Sequence, residues 1–64
     1  GLVLQTDRFI YVMEFKLNGT AEEALRQINE KQYARPFETD GRKLFKVGVN
    51  FSKKSRNIEK WIVG

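Results

Sequence analysis

The 64 residues include no cysteine and no histidine. The first absence excludes a disulfide framework, and the two together exclude cysteine–histidine zinc sites. Histidine is also unavailable as a general acid or base. No apolar run approaches the roughly 18 residues of a membrane span. Asp7 and Arg8 interrupt the only early apolar stretch, so nothing at the start reads as a signal peptide. The expectation is a soluble, cytoplasmic protein without membrane contact. The chain is also too short for a second domain or a deep cleft, since a domain of this size buries only about 60% of its unfolded surface. Carboxylates, lysines, amides and hydroxyls are left to carry any chemistry.

What is present reads as globular. Hydrophobic residues make up 41% of the chain and charged residues 31%, with five phenylalanines, two tyrosines and one tryptophan. A disordered chain would be poor in such residues. Twelve lysines and arginines against eight acids give a net charge of +4. That excess suits a phosphate-rich partner without requiring one.

Leu2-Val3-Leu4 is a short apolar run, and Gln5 to Arg8 reads as a turn. Phe9 to Leu17 is the strongest strand signal, rich in β-branched and aromatic residues. Its odd positions, Phe9, Tyr11, Met13, Phe15 and Leu17, share one face and are all apolar. Its even positions start with Ile10 and Val12 and become charged at Glu14 and Lys16. Thr20-Ala21-Glu22-Glu23 predicts a capping box, with Glu23 returning a bond to the Thr20 backbone N–H. Ala21, Ala24, Leu25 and Ile28 then recur at helical spacing to about Gln32 or Tyr33, and Pro36 is expected to end the helix. Residues 42–51 predict a strand with Phe45, Val47, Val49 and Phe51 on one face and Leu44, Lys46 and Gly48 on the other. Gly48 is expected to allow close backbone approach within the sheet. Ile58 to Val63 reads as a last, edge strand. A helix between two strands favours a parallel pair, and the short loops favour antiparallel hairpins on either side. The expected fold is α/β, ββαββ, with a four-stranded mixed sheet and one crossover helix.

Glu14 and Lys16, two apart on a strand, point to the same side with Cα atoms about 6.5–7 Å apart. A carboxylate and an ammonium so placed suit metal-assisted phosphodiester hydrolysis. The carboxylate would hold Mg²⁺ and the ammonium would orient water or stabilise phosphate charge. They equally suit an ion pair at a solvated strand end, since Glu-x-Lys is a common tripeptide. Lys53, Lys54 and Arg56 put three cations on one turn, fit to neutralise phosphates or simply to keep a hairpin tip soluble. Trp61 is expected as a core anchor and Tyr33 as a core or helix-end aromatic.

Glu14-Phe15-Lys16 at the end of a hydrophobic strand, followed at once by a capped helix, resembles the (D/E)-x-K half of the PD-(D/E)XK nuclease superfamily. The resemblance extends to a bacterial family of nuclease-fold domains found at the C-terminus of AAA-ATPase-like proteins. It is carried by Tyr11 to Lys16, Ala21 to Ile28, Lys31 to Ala34 and Lys46 to Phe51. It implies a partial restriction-endonuclease-like core over residues 1–64, lacking the helix that precedes the first strand. It implies Mg²⁺ or Mn²⁺ at Glu14, a catalytic role for Lys16, and an accessory role for Gln27 as the helix amide turned towards the metal. It implies a nucleic-acid substrate, DNA rather than RNA, and an ATPase-like region earlier in the parent chain. The superfamily's first aspartate would fall at position 1, where this chain has Gly1; Asp7 lies at the wrong end of the strand to replace it. The 64 residues alone are therefore expected to bind metal weakly at most and to be inactive, the intact parent being the nuclease. A non-catalytic binding or assembly module that keeps the fold is the alternative.

A strand apolar on both faces needs cover on both sides, and only one helix is at hand. If Gln27 faces the Glu14/Lys16 side, the helix covers Ile10 and Val12. Phe9, Tyr11, Met13 and Phe15 are then left for another surface, and a homodimer through that face is expected.

Overall fold

The structure, a computed structural model, describes all of residues 1–64. Four strands and one helix follow in the order β1 (Leu2–Gln5), β2 (Phe9–Lys16), α1 (Ala21–Glu30), β3 (Lys43–Ser52) and β4 (Asn57–Val63), with a short 3₁₀ turn at Arg35–Phe37. The sheet order is β1-β2-β3-β4. β1 and β4 pair antiparallel with their sequence neighbours, and β2 and β3 pair parallel at the centre. That is the mixed ββαββ sheet the sequence predicts. No helix is long and apolar enough to cross a membrane.

The alternation in β2 decides which face is covered. Ile10 and Val12 are fully buried beneath α1, joined by Ile28 and Ala34, with Leu25, Phe37 and Leu44 packed around them. The helix presents Ala21, Ala24 and Ile28 at spacings of three and four, which places its small residues against the sheet. Gly48 explains why they must be small. A Cβ at that position would lie 2.7 Å from the Leu25 backbone nitrogen and closer still to the Ala21 carbonyl oxygen. The close approach expected within the sheet is thus between sheet and helix.

The opposite face has no cover. Phe9, Tyr11 and Phe45 shield one another there, with ring centroids 5.3–6.2 Å apart. Phe15 and Leu17 are exposed, and Leu17 lies just past the end of β2. A register shift between Asn50 and Phe51 pairs Phe51 with Ile58 while Val49 pairs with Trp61. It brings Ile58 and Trp61 to this same face despite their odd separation. Trp61 is 65% exposed, so it is not the core anchor the sequence suggests.

The helix begins as predicted but is bonded differently. Thr20 Oγ1 accepts from the Glu23 N–H at 3.0 Å, while the Glu23 carboxylate accepts from the Thr20 hydroxyl at 3.2 Å, not from its backbone N–H. The end differs more. α1 stops at Glu30 because Gln32 adopts a left-handed backbone (φ 55°), with Tyr33 N–H donating to Ile28 O and Gln32 N–H to Asn29 O. That is a Schellman termination, usually the place of a glycine. Pro36 comes later and opens the 3₁₀ turn.

At the other end of the sheet, Arg42 ties β3 to the β1–β2 turn. Its guanidinium donates to Thr6 O at 2.9 Å, to Gln5 Oε1 at 2.8 Å and to both Asp40 oxygens. The hydrogen bond from Arg42 holds the Asp40 carboxyl below its ordinary pKa.

Candidate functional site

β2 carries Glu14 and Lys16 to the helix-covered face at the C-terminal ends of the parallel pair, where they stand opposite Gly48 and Asn50. Ligand sites in open α/β sheets form at such strand ends. Asn50 anchors the backbone there: its amide donates to Lys16 O at 3.2 Å and to Gly19 O at 2.8 Å. Those bonds fix the link from strand to helix and so the position of Lys16 relative to α1. Asn50 belongs to the scaffold of this site, and its sequence context gives no sign of it.

Glu14 is buried, with only 8% of its surface exposed, so the solvated strand end is ruled out. A buried carboxylate must find partners. Oε1 accepts from the Phe15 N–H at 3.2 Å, and Oε2 lies 3.4 Å from Gln27 Nε2. Lys16 does not pair with Glu14 directly. Its ammonium donates to Gln27 Oε1 at 2.5 Å, and Gln27 stands between them. The chemistry fixes which way the amide points. Lysine only donates and carboxylate only accepts, so the carbonyl end must face Lys16 and the amino end Glu14. The second amino hydrogen reaches towards the Tyr33 hydroxyl at 3.5 Å. Tyr33, exposed just past the helix end, thus joins the edge of the site. Gln27 sits in the C-terminal half of α1, one turn beyond the capping box.

Position 1 completes the geometry. Leu2 pairs with Met13, which puts Gly1 across from Glu14 on the same face. A Cβ at position 1 would begin 3.3 Å from Glu14 Oε2. It would open on a depression of about 320 Å³ lined by Leu2, Val3, Val12, Met13 and Tyr33. Asp7 lies in the far turn, as expected from its place in the sequence.

One family model, that of the PD-(D/E)XK nuclease superfamily, matches residues 2–61. The chain belongs to the PD-(D/E)XK nuclease superfamily. No curated protein and no solved structure gives a match. Glu14-Phe15-Lys16, which the sequence leads one to expect as the (D/E)-x-K element, lies on the second strand beneath the crossover helix. Nowhere in the chain do three acidic side chains gather as a metal cluster would need. Mg²⁺ prefers an octahedron of oxygens with one or two carboxylates. Glu14 is alone, its oxygens already have partners, and the Gln27 carbonyl is taken by Lys16. The residues present do not fit a Mg²⁺ site. Lys53, Lys54 and Arg56 are exposed on the β3–β4 turn, beyond the C-terminal end of β3. They share that end of the sheet with Lys16 but do not join the Glu14–Gln27–Lys16 group.

Proposed function

We propose that Glu14, Gln27 and Lys16 are the retained half of a metal-dependent phosphodiesterase centre acting on nucleic acid. A second carboxylate beside Glu14, where position 1 lies, would complete it in the intact parent, and the 64 residues alone would be inactive. The observation that carries this reading is the 3.3 Å between a Cβ at position 1 and Glu14 Oε2. A carboxylate there would stand beside the first and give a divalent ion the larger of the carboxylate sets it takes. Within this chain, Glu14 supplies the buried negative charge and Lys16 a cation at the strand end. Gln27 keeps the two apart and oriented. Held by the amide, the Lys16 ammonium is pre-positioned to stabilise charge developing on a phosphate or to hold an attacking water. The exposed cations at Lys53, Lys54 and Arg56 offer a non-specific hold on a phosphate backbone, DNA in the first instance.

The test is Gly1→Asp, with Mn²⁺ titrated and followed by line broadening at Glu14. The variant should bind at least roughly tenfold tighter than the parent chain, because an added ligand charge strongly raises affinity. It should also cleave DNA with Mg²⁺ or Mn²⁺, and lose that activity on Lys16→Ala. Unchanged Mn²⁺ affinity, or broadening confined to Glu38 or Asp40, would refute the assignment. A second reading rests on Gly1 itself and on the absence of a three-carboxylate cluster. In it, the chain is a non-catalytic binding or assembly module on a nuclease scaffold. Tight Mn²⁺ binding by Gly1→Asp without cleavage would favour that reading.

A further inference from the structure

The bend between β2 and α1 carries the dipeptide Asn18-Gly19. The chain has four asparagines, and the fold holds three of them by their side chains. Asn29 Oδ1 accepts from the Lys46 ammonium at 2.9 Å, and Asn50 Nδ2 donates to two carbonyls. Asn57 Oδ1 accepts from the Ile58 N–H at 2.8 Å, which occupies the backbone nitrogen that follows it. Asn18 is exposed, and its side chain bonds to nothing. The N–H of Gly19 has no partner either. Both residues border an open depression shared with Thr20, Asn50 and Lys53, so water reaches them. Asp40, the other polar residue that precedes a glycine, has both carboxylate oxygens held by Arg42.

We propose that Asn18-Gly19 is a site of spontaneous deamidation whose isoaspartate product unseats Lys16. This goes beyond the phosphodiesterase reading and does not depend on it. Glycine opens the way, because it puts no side chain beside its own nitrogen and turns freely. Hydroxide removes the Gly19 N–H proton, and the nitrogen attacks the carbonyl carbon of the Asn18 side chain. A C–N bond forms there, the bond to the side-chain NH₂ breaks, and ammonia departs with a proton from water. A five-membered succinimide remains. Water then opens one of its two carbonyls. Opening at the side-chain carbon gives aspartate, with the main chain unchanged. Opening at the backbone carbon gives isoaspartate, whose main chain runs through the side-chain carbon and is one atom longer. Neither atom held by Asn50 belongs to the ring, so the ring closes with the connection still anchored. The strain falls on the product. Asn50 Nδ2 spans Lys16 O at 3.2 Å and Gly19 O at 2.8 Å, and the added atom lies between those two carbonyls. One amide does not keep both bonds across the longer link. The Lys16 backbone is tied to that amide and its ammonium to Gln27 Oε1, so a shift at the first moves the second.

The test is to age the chain in mildly alkaline buffer, digest it with trypsin after Lys16 and Arg26, and weigh the fragment of residues 17–26. Deamidation adds about one mass unit, and chromatography separates the aspartate form from the isoaspartate form. Asn18 should convert at least roughly tenfold faster than Asn29, Asn50 or Asn57, given the open nitrogen of glycine, and faster still as pH rises. Gly19→Ala should slow the reaction, and its Cβ has room, 3.3 Å from the movable Glu23 carboxylate. In NMR spectra of the aged chain, the aspartate form should match the Lys16 and Gln27 side-chain signals of Asn18→Asp. The isoaspartate form should shift them. If Gly19→Ala does not fold, the unaltered chain decides alone. Conversion of Asn18 no faster than of the other three asparagines overturns the proposal. So does conversion confined to chain unfolded in urea, since Asn50 would then guard the connection. Isoaspartate at position 18 with the Lys16 and Gln27 signals unmoved equally overturns it.

Discussion

Gly48→Ala adds a single methyl group where the helix backbone rests on the sheet. The new Cβ would fall short of ordinary contact with the Ala21 carbonyl oxygen by more than 1 Å, and would press on Leu25 N as well. Both obstacles are backbone, so no rotamer change relieves them and the whole helix must lift. Overpacking of this kind costs about 1–3 kcal/mol. A domain this small has about 3–5 kcal/mol of stability to lose. Urea unfolding followed by circular dichroism should therefore show a midpoint lowered by about a fifth or more. Lifting α1 also moves Gln27, whose bonds to Lys16 and Glu14 are 2.5 and 3.4 Å long. The longer one should break first, so the Gln27 side-chain amide signals should move even in the remaining folded population. Gly41→Ala is the control. Gly41 has φ 98° with open space around its Cα, so alanine there is penalised by its backbone alone. That variant should lose stability without disturbing Gln27. If Gly48→Ala unfolds at the same urea concentration as the unaltered chain, or if Gly41→Ala moves the Gln27 signals equally, the account of how helix and sheet are seated is wrong.

Gln32→Gly should stabilise the chain by about 0.5–1 kcal/mol, because glycine adopts the left-handed helix end without strain. The gain is offset in part by the lost bond from Arg35 Nη1 to Gln32 Oε1, and thermal melting in low salt measures the net effect. Asp40→Asn should flatten the acid limb of the stability curve. The carboxyl's pKa is lowered in the folded state, so its contribution is full above the unfolded value and disappears as pH falls through the lowered one. Melting temperatures from pH 6 to pH 2 should fall less steeply in the variant, and parallel curves would contradict the clip at Arg42. Gln27→Leu should leave Glu14 without a donor at Oε2 and free Lys16, so the Lys16 side-chain signals followed by NMR should move and narrow.

The central features were legible because they rest on strong, local signals. Alternation in Phe9 to Lys16 and in Phe45 to Phe51 assigns the two faces of the sheet, and Thr20 to Glu23 marks where α1 starts. Glu14 and Lys16 were readable as a pair because strand period brings them to the same side, and Gln27 joined them only through the family resemblance. Other features were not legible because they depend on contacts distant in sequence. The helix ends at Glu30 because Gln32 takes a conformation that glycine normally marks, so no residue type signalled it. Trp61 lies open because its face of the sheet has no layer over it, and the extra residue at Glu59 that brings Ile58 to the same face has no signature in the alternation of Ile58 to Val63. Position 1 acquires its meaning only through the pairing of Leu2 with Met13, and the polar hold of Asn50 on Lys16 and Gly19 only through the parallel seam.

The grip of Arg42 on Thr6 and Gln5 bears on how β2 and β3 find their register. The inside–outside alternation specifies a parallel pair only modulo two residues: a slip of one turns every side chain over, but a slip of two leaves the apolar faces correct. Such a slip slides β3 by about 6.6 Å along β2. At one end it carries Arg42 out of reach of the carbonyl and amide it binds. At the other it puts Lys46 or Asn50 beneath Ala21, where only the bare Cα of Gly48 fits. The central seam is therefore keyed at both ends, by a charge at its entrance and a notch near its exit. Two hairpins that form from neighbouring residues can then join across a 34-residue separation, from Phe9 to Lys43, in a single way.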